Sequence, residues 1–320
     1  MKYFHILLAP LLLLWGCQPS QKTAGPSIKV LLIEGQNNHR NWPETSPLMK
    51  STLEKTGRFE VTITRTPPSD GRKQDFSASQ PLIADMPEDL QQQWATWRPD
   101  FTPYDVVISN YNGVFWPEEV QLDFVEFVNN GGGFVPIHAA NNAFTNWEEY
   151  QKIIGVGGWY GRWTEKHGSK IIWQDGKMVL DNSPGKCGAH GKRQPVYIDN
   201  RNQDHPIIKG FPSTWKHPTD EIYYNMCGPA KGINVVASAY SDPDTGGSGK
   251  NQPIVITLNY GQGRVFHNML GHTTEAFTGA GFQHLLVRGT EWAATGKVTF
   301  PEPDTADFST STIVTKEPGA

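Results

Sequence analysis

Between residues 28 and 154 short apolar runs alternate with segments of helical period, and no other feature narrows the possible folds so far. A run that is apolar on both of its faces cannot border water, so it belongs in a parallel sheet covered on both sides by helices. Residues 28–33 form the first such run. Residues 45–56 follow, with Pro47 near the start and Gly57 just past the end, the proline-early and glycine-late asymmetry of a helix. Residues 59–64 alternate as a second strand, and 104–108 are a third. Residues 117–129 place Val120, Phe124, Phe127 and Val128 on one helical face before Gly131-Gly132-Gly133 ends the helix. Residues 134–137 make a fourth strand, and 146–154 a helix with Trp147, Tyr150 and Ile154 on one side. The alternation predicts an α/β fold, a three-layer doubly wound and mostly parallel sheet. Residues 254–258 and 264–267 flank a glycine-containing loop as a hairpin, and Phe282, Leu285, Leu286, Gly289, Trp292 and Ala293 close the domain with a helix. Residues 65–100 show no clear period and are expected to be an excursion with one helix around 87–97.

The amino end carries a different message. Met1-Lys2, an apolar run over 4–15 and then Gly16-Cys17 give the order of a cleaved export signal ending at a lipobox, with Cys17 as the lipidated residue. The run is too short to span a bilayer comfortably. Residues 18–27, rich in Ser, Pro, Gln and Gly, read as a flexible tether, 28–297 as one domain, and 298–320 as a tail lying loosely on the surface. The expected location is therefore the periplasmic face of a membrane or the cell surface, with the lipid anchor as the only membrane contact. Cys187 and Cys227, the remaining cysteines, can pair in an oxidising compartment, and with no CxxC motif a thiolate zinc site is not expected. A net charge of -4 with no basic block excludes nucleic acid as an expected partner.

Two glycine clusters fail as nucleotide motifs. Residues 155–160 lack the last glycine of a dinucleotide fingerprint and follow a helix; 246–250 have Asp244 where a phosphate loop needs glycine and Asn251 where it needs Ser or Thr. Both are expected to be surface loops, and no nucleotide cofactor is expected.

In an open parallel sheet, ligands bind outside the carboxyl ends of the strands. Here those ends are rich in histidine. The first strand runs into His39, the fourth into His138-Ala139-Ala140-Asn141-Asn142, and residues 264–270 lead to Gly271-His272; the third strand ends at Asn110-Tyr111-Asn112. Three imidazoles converging on one crevice suit a divalent metal, zinc or similar, or acid–base work near neutral pH. His138 occupies the tight turn where a nucleophile elbow would put Ser or Cys, so a thiol amidotransferase or cysteine peptidase is not expected.

The stretch Gly131-Gly132-Gly133-Phe134-Val135-Pro136-Ile137-His138-Ala139-Ala140 resembles the central motif of the ThuA-like (trehalose utilisation) family. Asp204-His205-Pro206-Ile207, Gly210-Phe211-Pro212 and Asp220-Glu221-Ile222-Tyr223 are similar to its middle section, and Tyr260-Gly261-Gln262-Gly263-Arg264-Val265-Phe266, Gly271-His272 and Gly289-Thr290-Glu291-Trp292-Ala293 to its carboxyl-terminal signature. The resemblance implies a flavodoxin-like sheet related to class I glutamine amidotransferases, with His138 at the amidotransferase cysteine. It also implies a role in sugar catabolism through 3-keto glycosides, beside sugar oxidoreductases. The tract 157–168 departs from the pattern, its histidine standing later after the glycines, so the resemblance does not carry His167 into the site.

Asp220 and Glu221 are adjacent, so in extended chain they point to opposite sides, and the family motif favours Glu221. His39, His138, Glu221 and His272 are accordingly the candidate catalytic residues, with the three histidines as candidate metal ligands. Asn110, Asn112, Trp116, Asn141, Trp159 and Trp163 are candidate contacts to a sugar or keto-sugar, the tryptophans because a flat ring with a polar edge suits the apolar face of a pyranose. His190, His205, His217 and His284 are read as structural. The expected function is an isomerase, lyase or hydrolase acting on a glycoside or 3-keto sugar; the alternative is a non-catalytic glycan-binding lipoprotein serving a partner enzyme.

Overall fold

The computed structural model describes residues 27–71, 75 and 78–318. The expected signal peptide, Cys17 and nearly all of the tether lie outside them. In chain order the first half consists of β1 (Ile28–Glu34), α1 (Trp42–Glu54), β2 (Phe59–Arg65), α2 (Glu88–Thr96), β3 (Val106–Ser109), α3 (Glu118–Asn129), β4 (Gly133–Pro136) and α4 (Glu148–Ile154). Then come α5 (Thr164–His167), β5 (Ser169–Gln174), β6 (Lys177–Asp181), β7 (Ala189–His190), β8 (Gln194–Asn200), β9 (Thr214–Asp220), β10 (Tyr223–Tyr224), β11 (Cys227–Gly228), β12 (Asn234–Ser241), β13 (Lys250–Tyr260), β14 (Gly263–Asn268), α6 (Thr274–Thr278) and α7 (Ala280–Thr295).

The alternation in β1 shows why the layers form. Val30 and Leu32 join one apolar cluster with Met49 and Leu53 of α1 and Phe282, Leu285 and Leu286 of α7. Leu31 and Ile33 join the other, with Trp94, Val120, Phe124, Tyr150 and Ile153 of α2, α3 and α4. A strand whose successive side chains enter two cores has no wet face, which is what its composition demanded. The main sheet runs β2-β1-β3-β4-β14-β13-β12-β8-β9; it is parallel from β2 to β14 and antiparallel from there on. The α/β doubly wound sheet is therefore present, extended by an antiparallel wing of which the sequence assigns only the β13–β14 hairpin. In the wing, β8 buries only Val196, Ile198 and Asn200 and carries Pro195, so its apolar period is too weak to read.

Three smaller expectations need correction. The first helix begins at Trp42 rather than 45, so Pro43 is the early proline and Pro47 sits inside the helix. The cluster 155–160 is not a surface loop: Gly157 and Gly158 are buried, and a Cβ on Gly157 would stand 2.3 Å from the Asn141 carbonyl oxygen. Nor is the tail loose over 298–318. Phe308 is buried against Phe211 and Trp215, and the backbone of Val314 accepts from Ala280 N at 3.0 Å, because the tail brings an aromatic anchor and free carbonyls to the edge of α7. Cys187 and Cys227 form a disulfide. Among the described residues, no helix is long and apolar enough to cross a membrane.

Candidate functional site

The carboxyl ends of β1, β4, β9 and β14 meet at one place. After β1 the chain turns at Gly35, with φ +130° and no room for a Cβ, which would lie 2.3 Å from Thr66 Oγ1. The loop that follows is pinned where it carries His39: Asn37 Oδ1 accepts from His39 N at 2.9 Å, and Asn112 Nδ2 donates to Asn38 Oδ1 at 2.7 Å. His138, directly after β4 and Ile137, adopts a left-handed φ of 46°, uncommon for a residue with a Cβ and frequent where geometry serves a site. Its Nδ1–H donates to the Met269 carbonyl at 2.8 Å, which leaves Nε2 facing the crevice 2.7 Å from the Tyr223 hydroxyl.

Asp220, at the end of β9, is the organiser beneath. Its Oδ2 accepts from Gly271 N at 2.8 Å and lies 3.0 Å from His217 Nε2; its Oδ1 accepts from His272 N at 3.0 Å and Glu221 N at 2.8 Å. One buried carboxylate thus fixes both the loop bearing His272 and the residue bearing the site's own carboxylate.

The imidazole centroids of His39, His138 and His272 are 4.3 to 5.4 Å apart. One nitrogen of each, with a carboxylate oxygen of Glu221, lie within 4.8 Å of one another. Glu221 Oε1 is 2.9 Å from His272 Nδ1 and 3.6 Å from His138 Nε2, and Oε2 is 3.3 Å from His190 Nδ1. His272 Nδ1 is buried and makes no well-aligned hydrogen bond despite that proximity. A polar atom in that condition, an imidazole whose other nitrogen is already committed to a carbonyl, and a set of three histidines with one carboxylate all fit a divalent cation. Electrostatics agree. Burial and the neighbouring His138 and His272 hold His39 neutral, its pKa pushed down to about 2. Burial opposes charge on His138, but Glu221 and Asp220 outweigh it and raise the group above its ordinary value. Burial likewise disfavours the Glu221 carboxylate, yet its contacts with His138 and His272 prevail and hold it well below the usual carboxylate range. His39 and Glu221 are thus in the forms that ligate metal, whereas His138 must give up the proton that its carboxylate neighbours favour.

The cluster opens into a cavity of about 340 Å³ walled by His39, Glu221, His272, Tyr223 and Trp159 together with His190 and Arg193. A larger cavity of about 610 Å³, bordered by 99–105 and 123–132, lies at the amino ends of β3 and β4 and holds no histidine. The ligand rule for open sheets points to the smaller one.

Of the residues proposed from sequence, His39, His138, Glu221 and His272 come together, and Trp159 stands at the cavity wall. The others do not line it. Asn110 donates to Thr45 Oγ1 at 3.0 Å and Ser46 Oγ at 2.9 Å, tying β3 to α1. Asn112 supports Asn38 from behind, and Asn141 Nδ2 is engaged with His267 Nε2 at 3.0 Å in the interior. Trp116 is no sugar platform: it is 2% exposed and packs among Phe124, Phe144 and Trp147, since an indole beside a loop glycine gains more from the core than from water. Trp116→Phe is expected to cost about 1–2 kcal/mol of stability, read from denaturant unfolding, with ligand affinity unchanged. Trp163 is exposed but faces a neighbouring cavity.

Tyr223, His190, Arg193 and the Asp220–His217 pair were missed. Tyr223 and His190 pair across the short ribbon β7–β10, and Arg193 Nη1 lies 3.0 Å from His272 Nε2. Asp220 and His217 lie on β9 of the antiparallel wing, Tyr223 and His190 on the separate ribbon β7–β10, and Arg193 just before β8, none of them following a parallel strand. The only sequence signal was Tyr223 in the Asp220-Glu221-Ile222-Tyr223 motif.

His267, on β14 beneath the site, adds a pH dependence. It is fully buried, its Nδ1–H donates to the Ile154 carbonyl at 2.9 Å, and burial pushes its pKa down to about 4. The unfolded chain protonates this group below about pH 6.5 while the native one does not until about pH 4, so its stabilising contribution is complete above pH 6.5 and is lost as the pH falls between the two values. At pH 5 the loss is about 2 kcal/mol. Thermal unfolding at pH 7 and pH 5 checks this: His267→Gln should show a visibly smaller drop than the native chain.

The family model described as ThuA, trehalose utilisation, matches residues 86–293, more than half of the chain. Among solved structures, a ThuA-like protein from Parabacteroides merdae is 42% identical, with 92% of this chain and 99% of that chain covered and a TM-score of 0.80. A ThuA-like protein from Bacteroides uniformis is 21% identical, with 89% and 97% covered and a TM-score of 0.54, a likeness of fold alone. No curated protein matches the chain. With a family model over most of the described domain and a solved relative matched nearly end to end, this chain belongs to the ThuA family and has its glutamine amidotransferase-like α/β fold.

Proposed function

We propose that this protein is an exported, lipid-anchored enzyme of carbohydrate catabolism that moves protons on a glycoside or 3-keto sugar at the His39, His138, Glu221 and His272 cluster. The observation that carries the reading is the convergence of three imidazoles and one ionised carboxylate, each from a separate strand end, on a single cavity beside Trp159. The family's description as trehalose utilisation supports a sugar ligand. The Cys187–Cys227 disulfide supports an oxidising compartment, in keeping with an export signal and with Cys17 as its lipidated residue.

Within the cavity the residues divide the work by their charge states. Neutral His39 keeps a lone pair for a cation or for a hydrogen bond from a substrate hydroxyl. Glu221, held ionised, orients His272 and stabilises positive charge on any imidazole that takes a proton. The Tyr223 hydroxyl, whose pKa burial and then the nearby carboxylates push far up, stays protonated and can donate to a substrate oxygen. Arg193, exposed at the rim, can bind hydroxyl or carbonyl oxygens. His39, His138, Glu221 and His272 would hold a divalent metal such as zinc, whose chemistry is to polarise a carbonyl or acidify water. Isomerisation, elimination and hydrolysis all use this equipment. Sugar oxidoreductases working beside such a step are in keeping with the family's description.

One observation favours the alternative, a non-catalytic glycan-binding lipoprotein: Arg193 Nη1 already engages His272 Nε2 at 3.0 Å. The test is turnover of 3-keto glycosides by the full-length protein and its His39→Ala variant. Turnover that His39→Ala abolishes supports the enzyme, and tight sugar binding with no turnover supports the binding protein.

A further inference from the structure

Trp159 separates two cavities. On one side is the histidine cavity; on the other lies a second, of about 460 Å³, bordered by Trp159, Arg162, Trp163, Lys186 and Gly188. Each has the volume of a small-ligand site. Trp163 is 42% exposed, in contrast to Trp94, Trp116 and Trp215, which are almost wholly buried. Lys186 Nζ lies 5.6 Å from the centre of the Trp163 ring. With that one ammonium over one of its faces, the exposed indole can offer the opposite face to the apolar side of a pyranose, and the ammonium can donate to a hydroxyl.

The wall between the cavities is held in an unfavourable backbone. Trp159, Tyr160 and Gly161 have consecutive left-handed φ values of 56°, 45° and 74°. Two such residues with side chains are costly and persist only where the surroundings fix them. The surroundings do. The buried Arg162 guanidinium, with no carboxylate partner among its hydrogen bonds, donates to Gln151 Oε1 at 3.1 Å, to the carbonyls of Asn142 and Ala143 at 2.9 and 2.8 Å, and to that of Gly158. Trp159 N donates to the Cys187 carbonyl at 2.9 Å, and Cys187 is tied by its disulfide to Cys227. A charge buried to anchor one turn, and a disulfide behind it, keep Trp159 between the two cavities.

We propose that the cavity beyond Trp159 is a second sugar subsite, so that the substrate is a glycoside of at least two units: the reacting unit lies against the histidines and its neighbour lies on Trp163 beside Lys186. The inference rests on the carbohydrate reading of the histidine cavity. It makes Trp163 a specificity residue and Trp159 the partition over which the glycosidic bond passes.

The experiment is calorimetric titration of the full chain with methyl glucoside, trehalose, maltose and cellobiose, repeated on Trp163→Ala and Trp163→Phe. At least one disaccharide is expected to bind tenfold or more tightly than methyl glucoside. Trp163→Ala should erase that advantage and leave methyl glucoside affinity alone, and Trp163→Phe should retain most of it. If methyl glucoside binds but no disaccharide gains, or the gain survives Trp163→Ala, the second subsite is wrong while the carbohydrate reading stands. If none of the four sugars binds either native protein or variant, the carbohydrate reading fails and the subsite fails with it.

Discussion

Asp220→Ala is expected to lower the midpoint of thermal unfolding by roughly 10 °C and to strip the surviving folded protein of most of its affinity for ligand. The side chain is completely buried and receives hydrogen bonds from three backbone amides, those of Glu221, Gly271 and His272, beside its contact with His217. Burial alone would raise its pKa; the His217 contact and the others outweigh burial and keep it ionised. Deletion leaves buried donors with nothing to bond and a histidine facing a void, a loss on the order of 3–5 kcal/mol. It also releases the backbone that aims His272 and Glu221. Asn retains the shape and one acceptor, so Asp220→Asn should fall between native and Ala in both midpoint and affinity. A purely structural role would move the midpoint and spare the affinity of the folded fraction, which calorimetric titration well below the midpoint resolves.

Glu221→Gln carries the second large effect. Its carboxylate is the one negative group shared among three imidazoles, at 2.9 Å from His272, 3.3 Å from His190 and 3.6 Å from His138. The amide is isosteric, so the fold should tolerate it. What disappears is the charge that stabilises a protonated histidine and completes the ligand set. A positioned proton-transfer group contributes about 10²–10⁴-fold, and kcat/KM on a turned-over keto glycoside should fall by at least 100-fold with the unfolding midpoint shifted by only a few degrees. A fall of less than threefold would show that Glu221 serves only to hold His272 in place.

How far these residues could be read in advance depends on which half of the sheet supplies them. In the parallel half two rules act together: a strand covered on both faces must be apolar throughout, and ligands gather beyond strand carboxyl ends. They suffice for β1, β3 and β4 and for His39 and His138, and the hairpin β13–β14 leads to His272 in the same way. The antiparallel wing obeys neither. Its strands β8 and β9 bury one face, carry prolines and mix polar with apolar residues, so His217 looked like an ordinary turn residue, while His190, on a two-residue strand, and Arg193, before β8, have no period to read. Strand alternation says only that Asp220 and Glu221 face opposite ways; the family motif is what picks Glu221 for the histidines, and the structure turns Asp220 down to the 271–272 loop. The asparagines show a different limit. Asn110, Asn112 and Asn141 do stand near strand ends, but they spend their amides on α1, the His39 loop and His267, choices made by tertiary neighbours far away in sequence. Trp116 and Trp159 each stand in glycine-bearing segments, and only packing sends one into an aromatic core and the other to the cavity wall.

The claim at the centre is that His39, His138, Glu221 and His272 form one cation-binding, proton-moving centre. Elemental analysis of the native protein purified without added metal or chelator, beside His138→Ala, tests it most directly. Close to one equivalent of a divalent transition metal is expected in the native protein and less than a tenth of that in the variant. Metal retained in full by His138→Ala, or none in the native protein even after equilibration with zinc, would contradict it.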